Sequence, residues 1–331
     1  MIISRTPLRV SFFGGGTDLR SYYVKQPGHV INTGIQNYLY VVLREQADFV
    51  EFPYRINWSQ VEFCKMIDEI QHPVVREAYR MFGIDFPIEL TTFSDIPAGT
   101  GLGSSSSFAV GLVNALHALR RERATKYSLA AKAAQIEIDI LGRVMGRQDH
   151  FAAAYGSLNV YHFKSGDAVE VEPVFSVPAR LDSLEKHLLL FYTGTQRNAS
   201  EILEAQDAAS PEQTAALTGM ADLVTPMAEI LSGHGELSDI GPMLHESWNL
   251  KRSISPGIST VWIDEQYELA LAAGALGGKI LGAGGGGFLM IFAEPDRQDA
   301  VEEALKPMKM IRPTFDTSGT RITYYEPSRN R

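Results

Sequence analysis

Residues 97–107 read Pro-Ala-Gly-Thr-Gly-Leu-Gly-Ser-Ser-Ser-Ser and run straight into an apolar segment headed by Phe108. A helix start carries unpaired backbone N–H groups and the positive end of the helix dipole. Glycines just ahead of it let the backbone approach a ligand closely. Gly99, Gly101 and Gly103 therefore predict a loop that wraps an anion, with Ser104, Ser105 and Ser106 adding hydroxyls at the mouth of the helix. Gly/Ser runs are ordinarily flexible linkers. Here Phe108, Leu112, Val113, Leu116 and Leu119 repeat on one helical face, and the strand-like Ile88-Glu89-Leu90 precedes the loop, so it lies inside a domain.

Two common phosphate motifs are excluded. A Walker A loop needs Lys after its last glycine, and Gly103 is followed by Ser104. A dinucleotide fingerprint forced onto Gly282, Gly284 and Gly287 should open a helix, yet Phe288-Leu289-Met290-Ile291-Phe292 reads as a strand.

The chain has 331 residues, enough for two domains. Its formal net charge of −9 argues against a nucleic-acid partner, which would need a basic face. Cys64 is the single cysteine, so no internal disulfide forms, which fits a reducing cytoplasm. The N-terminus lacks a signal-peptide pattern, and a cytoplasmic location is expected. Leu269 to Phe292 is mostly apolar, but Lys279 and its glycines argue against a membrane helix.

Along the chain, Leu8, Val10 and Phe12 alternate with Arg9 and Ser11 as a strand ending in glycines, and Tyr38–Leu43 reads as a second strand. Helices are expected at about 105–120 and 129–141, the second capped by Ser128 and stopped by Gly142, with a strand at 157–163. Beyond a boundary near 165–185, a strand at 187–192 precedes helices at about 198–209, 211–232, 239–253 and 258–276. Strand, helix and strand close the chain at 280–292, 296–306 and 320–325. The order is α+β in two domains rather than a regular βαβ alternation.

Three glycine segments, TPLRVSFFGGGTD (6–18), the 97–107 loop and KILGAGGGGF (279–288), resemble in order, spacing and content the three motifs of the GHMP kinase superfamily. The resemblance spans nearly the whole chain. It implies an N-terminal ribosomal-protein-S5-like ATP domain over 1–175 and a C-terminal ferredoxin-like domain over 176–331. It implies ATP and Mg²⁺ as cofactors, with Pro97, Gly99, Thr100, Gly101, Leu102, Gly103, Ser104, Ser105 and Ser106 around the nucleotide phosphates. Ser105 and Glu137, the latter in Glu-x-x-x-x-Gly, take the family's magnesium-ligand positions, a set of hard oxygens suited to Mg²⁺. Asp149 in Gly146-Arg147-Gln148-Asp149-His150 matches the catalytic aspartate, with His150 where the family usually has an amide. Arg9 matches the cation that stabilises the transferred phosphoryl group.

Motif one has Gly14-Gly15-Gly16-Thr17-Asp18 where galactokinases carry Gly-Glu-His-Thr-Asp. With the segments 191–197 and 245–252, this widened corner is similar to the heptose-phosphate kinase branch. That branch phosphorylates the anomeric hydroxyl of D-glycero-D-manno-heptose 7-phosphate for surface polysaccharide synthesis. The resemblance implies a substrate site at Asp18, Gly15, Gly16, Thr17, Gly284 and Gly285. Arg197, Lys251 and Arg252, with Arg20 as a further option, are candidates to hold the sugar phosphate. Trp58 is a candidate for the adenine pocket. A fucose- or galactose-type C1 kinase is the alternative substrate reading, and a non-catalytic sensor a remote one. No nucleic-acid or membrane partner is expected, and a homodimer is an open option.

Overall fold

The structure, a computed structural model, describes residues 1–195, Ile202 and residues 210–326. Apart from Ile202, the helix expected at 198–209 lies outside the described residues, as does the candidate Arg197.

The N-terminal region is built on two long strands, β1 (Ile2–Phe13) and β2 (Gly28–Glu45), paired antiparallel. Three short strands follow: β3 (Tyr54–Asn57), β4 (Val61–Cys64) and β5 (Ile88–Ser94). Two more, β6 (Leu158–Phe163) and β7 (Val169–Pro173), come after the helices. The far half of β2 pairs with β5 and the near half with β6, so one strand serves two partners at different points of its length. The helix expected at 105–120 is Ser104–Leu119 and lies on β1 and β2, where a Cβ on Gly111 would sit 2.8 Å from Thr6 Oγ1. That close approach seats the helix so that its N-terminus opens beside Arg9.

The segment expected as one helix over 129–141 is two pieces. An α-helix, Lys126–Ala134, becomes a π-helical turn, Gln135–Ile140. The cap is Thr125 rather than Ser128, because the two hydroxyls cap each other's backbone N–H reciprocally.

The second region holds a four-stranded antiparallel sheet of β8 (Leu188–Tyr192), β9 (Gly277–Ile280), β10 (Phe288–Phe292) and β11 (Lys309–Ile311). Its spatial order, β11-β8-β10-β9, is the order of a ferredoxin-like split βαβ unit. The helices include Pro211–Asp222, Val224–Leu231, Ile240–Ile254 and Val261–Ala272. The stretch expected as one helix over 211–232 thus breaks at Leu223.

One expectation is corrected here. The C-terminal segment does not stay in the second region. β12 (Arg321–Tyr325) pairs with β1 on the first sheet, and Ile35 bridges Phe315. Thr320 Oγ1 meets Thr6 Oγ1 at 2.8 Å in the interior. The first region is therefore built from both ends of the chain, and the boundary at residue 331 does not hold.

Apolar side chains fill three clusters. One lies under the N-terminal helices and one under the C-terminal helices. The third joins Val10 and Phe12 of β1 to Met227, Leu244 and Met290 of the second region. This shared core packs the two regions against each other beside a cleft.

Candidate active site

The cleft contains a cavity of about 220 Å³ whose wall is drawn from widely separated segments. The phosphate loop supplies Gly99, Gly101, Gly103 and Ser104–Ser106. The glycine corner supplies Gly15, Gly16 and Asp18, and the stretch from Met145 to Asp149 supplies a third side. The second region adds Met220, Lys251, Lys279, Gly282 and Ala283.

Gly103 caps the Ser104–Leu119 helix in the left-handed region, at φ 75°, which turns the loop back over the helix start. Ser106 Oγ is buried there without a partner, which suits a ligand oxygen at the helix mouth. Pro97, Thr100 and Leu102 shape the loop from behind and do not line the cavity. Thr100 Oγ1 donates to Pro97 O at 3.0 Å, and Leu102 O accepts from Arg9 N at 3.0 Å. The third glycine motif braces this loop: a Cβ on Gly282 would lie 2.7 Å from Gly101 Cα, and one on Gly287 2.4 Å from Thr100 O.

Arg9 points from β1 into the cleft and binds Asp149 in a bidentate pair, Nε to Oδ1 and Nη2 to Oδ2, both 2.7 Å. Its Nη1 donates to Gly101 O, so one guanidinium ties the phosphate loop to the aspartate. The Asp149 side chain keeps 19% exposure and can be reached by an incoming hydroxyl.

Asp18 sits deeper. Gly16 N–H donates to its Oδ1 at 2.9 Å and the Gln148 side-chain amide at 3.0 Å, while Gln148 N–H donates to Oδ2 at 3.0 Å. Ser11 Oγ in turn donates to Gln148 Oε1 at 2.8 Å. Gly146 is needed beside it, since a Cβ there would overlap Asp18 Oδ2 at 1.9 Å. Burial, with some repulsion from Asp149, pushes the Asp18 carboxyl above its ordinary pKa. Thr17 is not on the wall. Its hydroxyl donates to Gly14 O at 2.8 Å and pins the corner against His29.

Glu137 and Ser105 meet, Ser105 Oγ donating to Glu137 Oε1 at 2.6 Å. The π-turn carries Glu137 inward to zero exposure. His150 Nε2 lies 2.9 Å from Oε2 and orients the carboxylate from behind. Burial would raise the Glu137 pKa, but the hydrogen bonds from His150 and Ser105 and the charge of Arg143 outweigh it and hold the pKa below the ordinary value. Arg143 Nη1 donates to Glu137 Oε1 and reaches Ser105 Oγ at 3.3 Å, so a positive group already bridges these two oxygens. The donor set therefore fits a hard divalent cation. Among the described residues no cluster of three His, Cys, Asp or Glu offers another metal site.

Residues 68–157 match the GHMP kinases N terminal domain, and residues 227–309 match GHMP kinases C terminal. The chain belongs to the GHMP kinases. It is similar to D-glycero-alpha-D-manno-heptose 7-phosphate kinase of Campylobacter jejuni, 29% identical over 316 residues that cover 92% of this chain and 93% of the relative. It is 25% identical to the bifunctional fucokinase/GDP-fucose pyrophosphorylase of Arabidopsis thaliana over 329 residues, 89% of this chain but 30% of that longer protein. A solved D-glycero-D-manno-heptose 1-phosphate kinase from Bacteriodes thetaiotaomicron shares the fold with a TM-score of 0.79, at 24% identity, covering 98% of this chain and 99% of that one.

Several residues of this GHMP kinase lie away from where the sequence put them. Arg252 does not line the cavity, because Asp264 holds it at 3.0 Å and its guanidinium lies 5.6 Å from the Trp248 ring. Arg20 is spent on Asp139 and Asp167, at 2.9 and 2.7 Å. Gly284 and Gly285 pack on Ile258 instead of facing the cavity, Gly285 N–H donating to Ile258 O at 2.8 Å. Trp58 is also off the wall, packed edge-on to His72 at 4.7 Å and bonded through Nε1 to Glu62. Sequence reading missed Gln148, Arg143 and Lys279. Gln148 neighbours the matched aspartate and Lys279 opens the third glycine motif, so position alone could have flagged both. Arg143 carried no signal. No helix among the described residues is long and apolar enough to cross a membrane.

Proposed function

We propose that this GHMP kinase transfers the γ-phosphoryl group of ATP to the anomeric hydroxyl of a phosphorylated sugar, D-glycero-D-manno-heptose 7-phosphate. The observation that carries the reading is the bidentate Arg9–Asp149 pair facing a cavity roofed by the phosphate loop. The heptose 7-phosphate relative, aligned over 92% of this chain, supports the acceptor.

The loop N–H groups and the serine hydroxyls bind the nucleotide phosphates at the helix start. Glu137 and Ser105 would hold Mg²⁺, which when bound neutralises charge on those phosphates. Asp18, locked by Gln148 and Gly16, presents its carboxylate edge to sugar hydroxyls and fixes the acceptor. Asp149 accepts the hydrogen bond and then the proton of the C1 hydroxyl as its oxygen bonds to the γ-phosphorus and ADP leaves. Arg9 holds both Asp149 oxygens in place and puts positive charge beside the group in flight. No covalent enzyme intermediate is required, since positioning and charge stabilisation carry the rate.

Incubation with ATP, Mg²⁺ and a panel of sugars and sugar phosphates tests this, with ADP release and the phosphorus NMR signal of an anomeric phosphate as readouts. Turnover of heptose 7-phosphate is expected, and Asp149→Asn should lower kcat by about 10²–10⁴-fold, the usual share of a positioned base. Turnover confined to free fucose or galactose would establish the alternative, which the plant fucokinase relative supports.

A further inference from the structure

Two ammonium groups are buried in the cavity wall without a carboxylate. Lys251 and Lys279 are 6% and 3% exposed. Among the described residues their hydrogen bonds go only to carbonyls: Lys251 to Gly282 O and Ile280 O, Lys279 to Phe12 O at 2.7 Å. An ammonium has three donors, so Lys279 keeps two for a ligand. Burying an unpaired charge is costly, and a fold retains one where something else supplies the countercharge. Arg9, paired with Asp149, adds a third cation nearby. Burial and these like charges lower the pKa of both lysines, which an anion would reverse.

We propose that Lys251 and Lys279 are the seat for the phosphate that the acceptor already carries. This rests on the reading above that the acceptor is a phosphorylated sugar. The acceptor side is favoured by where the groups are tied. Lys279 is held at Phe12, where β1 enters the glycine corner that brings Asp18 to the cavity. Lys251 is tied at Gly282, which abuts Gly101 of the phosphate loop, so the pair spans the cavity from that loop to the corner and the ATP KM measured below separates the two sides. Among the described residues the other candidates, Arg252 and Arg20, are already engaged by carboxylates.

The test uses the full-length protein with Lys251→Gln and Lys279→Gln, which keep a donor for the carbonyls and remove the charge. Initial rates with ATP and Mg²⁺ are measured on heptose 7-phosphate and on the same heptose without phosphate. Binding of inorganic phosphate, without nucleotide, is measured by calorimetry. Each variant is expected to raise the KM for the phosphorylated acceptor by about tenfold or more, the loss of a charge-assisted hydrogen bond. Phosphate affinity should fall in parallel, the KM for ATP should stay within about twofold, and Lys→Arg variants should restore part of the loss. Unchanged phosphate binding and acceptor KM in cooperatively unfolding variants would overturn the proposal. So would a rise in the ATP KM alone, which would give the lysines to the nucleotide. If the wild type ignores heptose 7-phosphate but binds phosphate in a lysine-dependent way, the acceptor reading falls and the seat stands. If it binds no phosphate and uses only unphosphorylated sugars, both fall.

Discussion

Asp149 and Arg9 are 140 positions apart in the chain and meet in two hydrogen bonds of 2.7 Å. At this scale the site is a set of cations and carboxylates arranged for separate tasks. Arg143 bridges Glu137 and Ser105, where a divalent cation would compete with it. Arg143→Gln should therefore strengthen Mn²⁺ binding by about tenfold, some 1.4 kcal/mol, read by electron paramagnetic resonance titration without turnover. Unchanged Mn²⁺ affinity would mean that the guanidinium does not compete for the site. Lys251 shows the opposite economy. Burial, then the charge of Arg9, lowers its pKa from 10.5 to about 7. Between about pH 7 and 10.5 the unfolded chain holds this proton and the folded chain does not, so wild-type stability gains with rising pH across that window. Lys251→Met should accordingly raise the melting temperature most at or below pH 7, and the gain should fade towards pH 10.5. Melting curves at pH 7, 8.5 and 10 check this, and a constant offset would contradict it.

Among the elements, the phosphate loop is a joint product of two glycine segments. The glycine loop at Gly103 and the helix behind it were legible in the residues, since glycine runs ahead of a periodic apolar face have few other uses. The brace from Gly282 and Gly287 was not, because a glycine hairpin does not announce which backbone it will press against. Gly282→Ala would place a Cβ 2.7 Å from Gly101 Cα at φ +72°. We expect a KM for ATP raised about tenfold or more and a stability loss of about 1–3 kcal/mol, as for overpacking. A rise confined to the acceptor KM would show that the brace does not shape the nucleotide side. The helix after Thr125 carries the same lesson. Its apolar period was readable, but the π-turn that swings Glu137 inward is set by packing beneath it rather than by propensity. The breaks at Ala134 and Leu223 were hidden for the same reason.

Over the whole molecule, the two sheets share one apolar core and the chain's end returns to its beginning. β12 covers the edge of β1 that would otherwise present unpaired backbone groups, and Thr320 joins the buried hydroxyls of Thr6 and Ser4. Removing residues 313–331 should expose that edge and lower stability by several kcal/mol, seen as aggregation or a lost cooperative transition in thermal melts. A truncated chain that melts like the full one would deny β12 this role. Since β1 also carries Arg9, the strand that closes the sheet at the far end also steadies the cleft.

The residues alone determined the glycine loop ahead of the helix, the family and most of the α+β order, because local glycine chemistry and apolar periodicity act over a few positions. They also marked Arg9, Asp149, Ser105 and Glu137 through motif position. Only the tertiary structure decided which cations face the cleft. Arg252 and Arg20 were as plausible in one dimension as Lys251, yet carboxylates 12 and 147 residues away hold them elsewhere. Among the described residues, Lys251 and Lys279 were left on the cavity wall with only carbonyls as partners. Countercharge is a property of neighbours in space, and a chain brings such neighbours together only once it has folded.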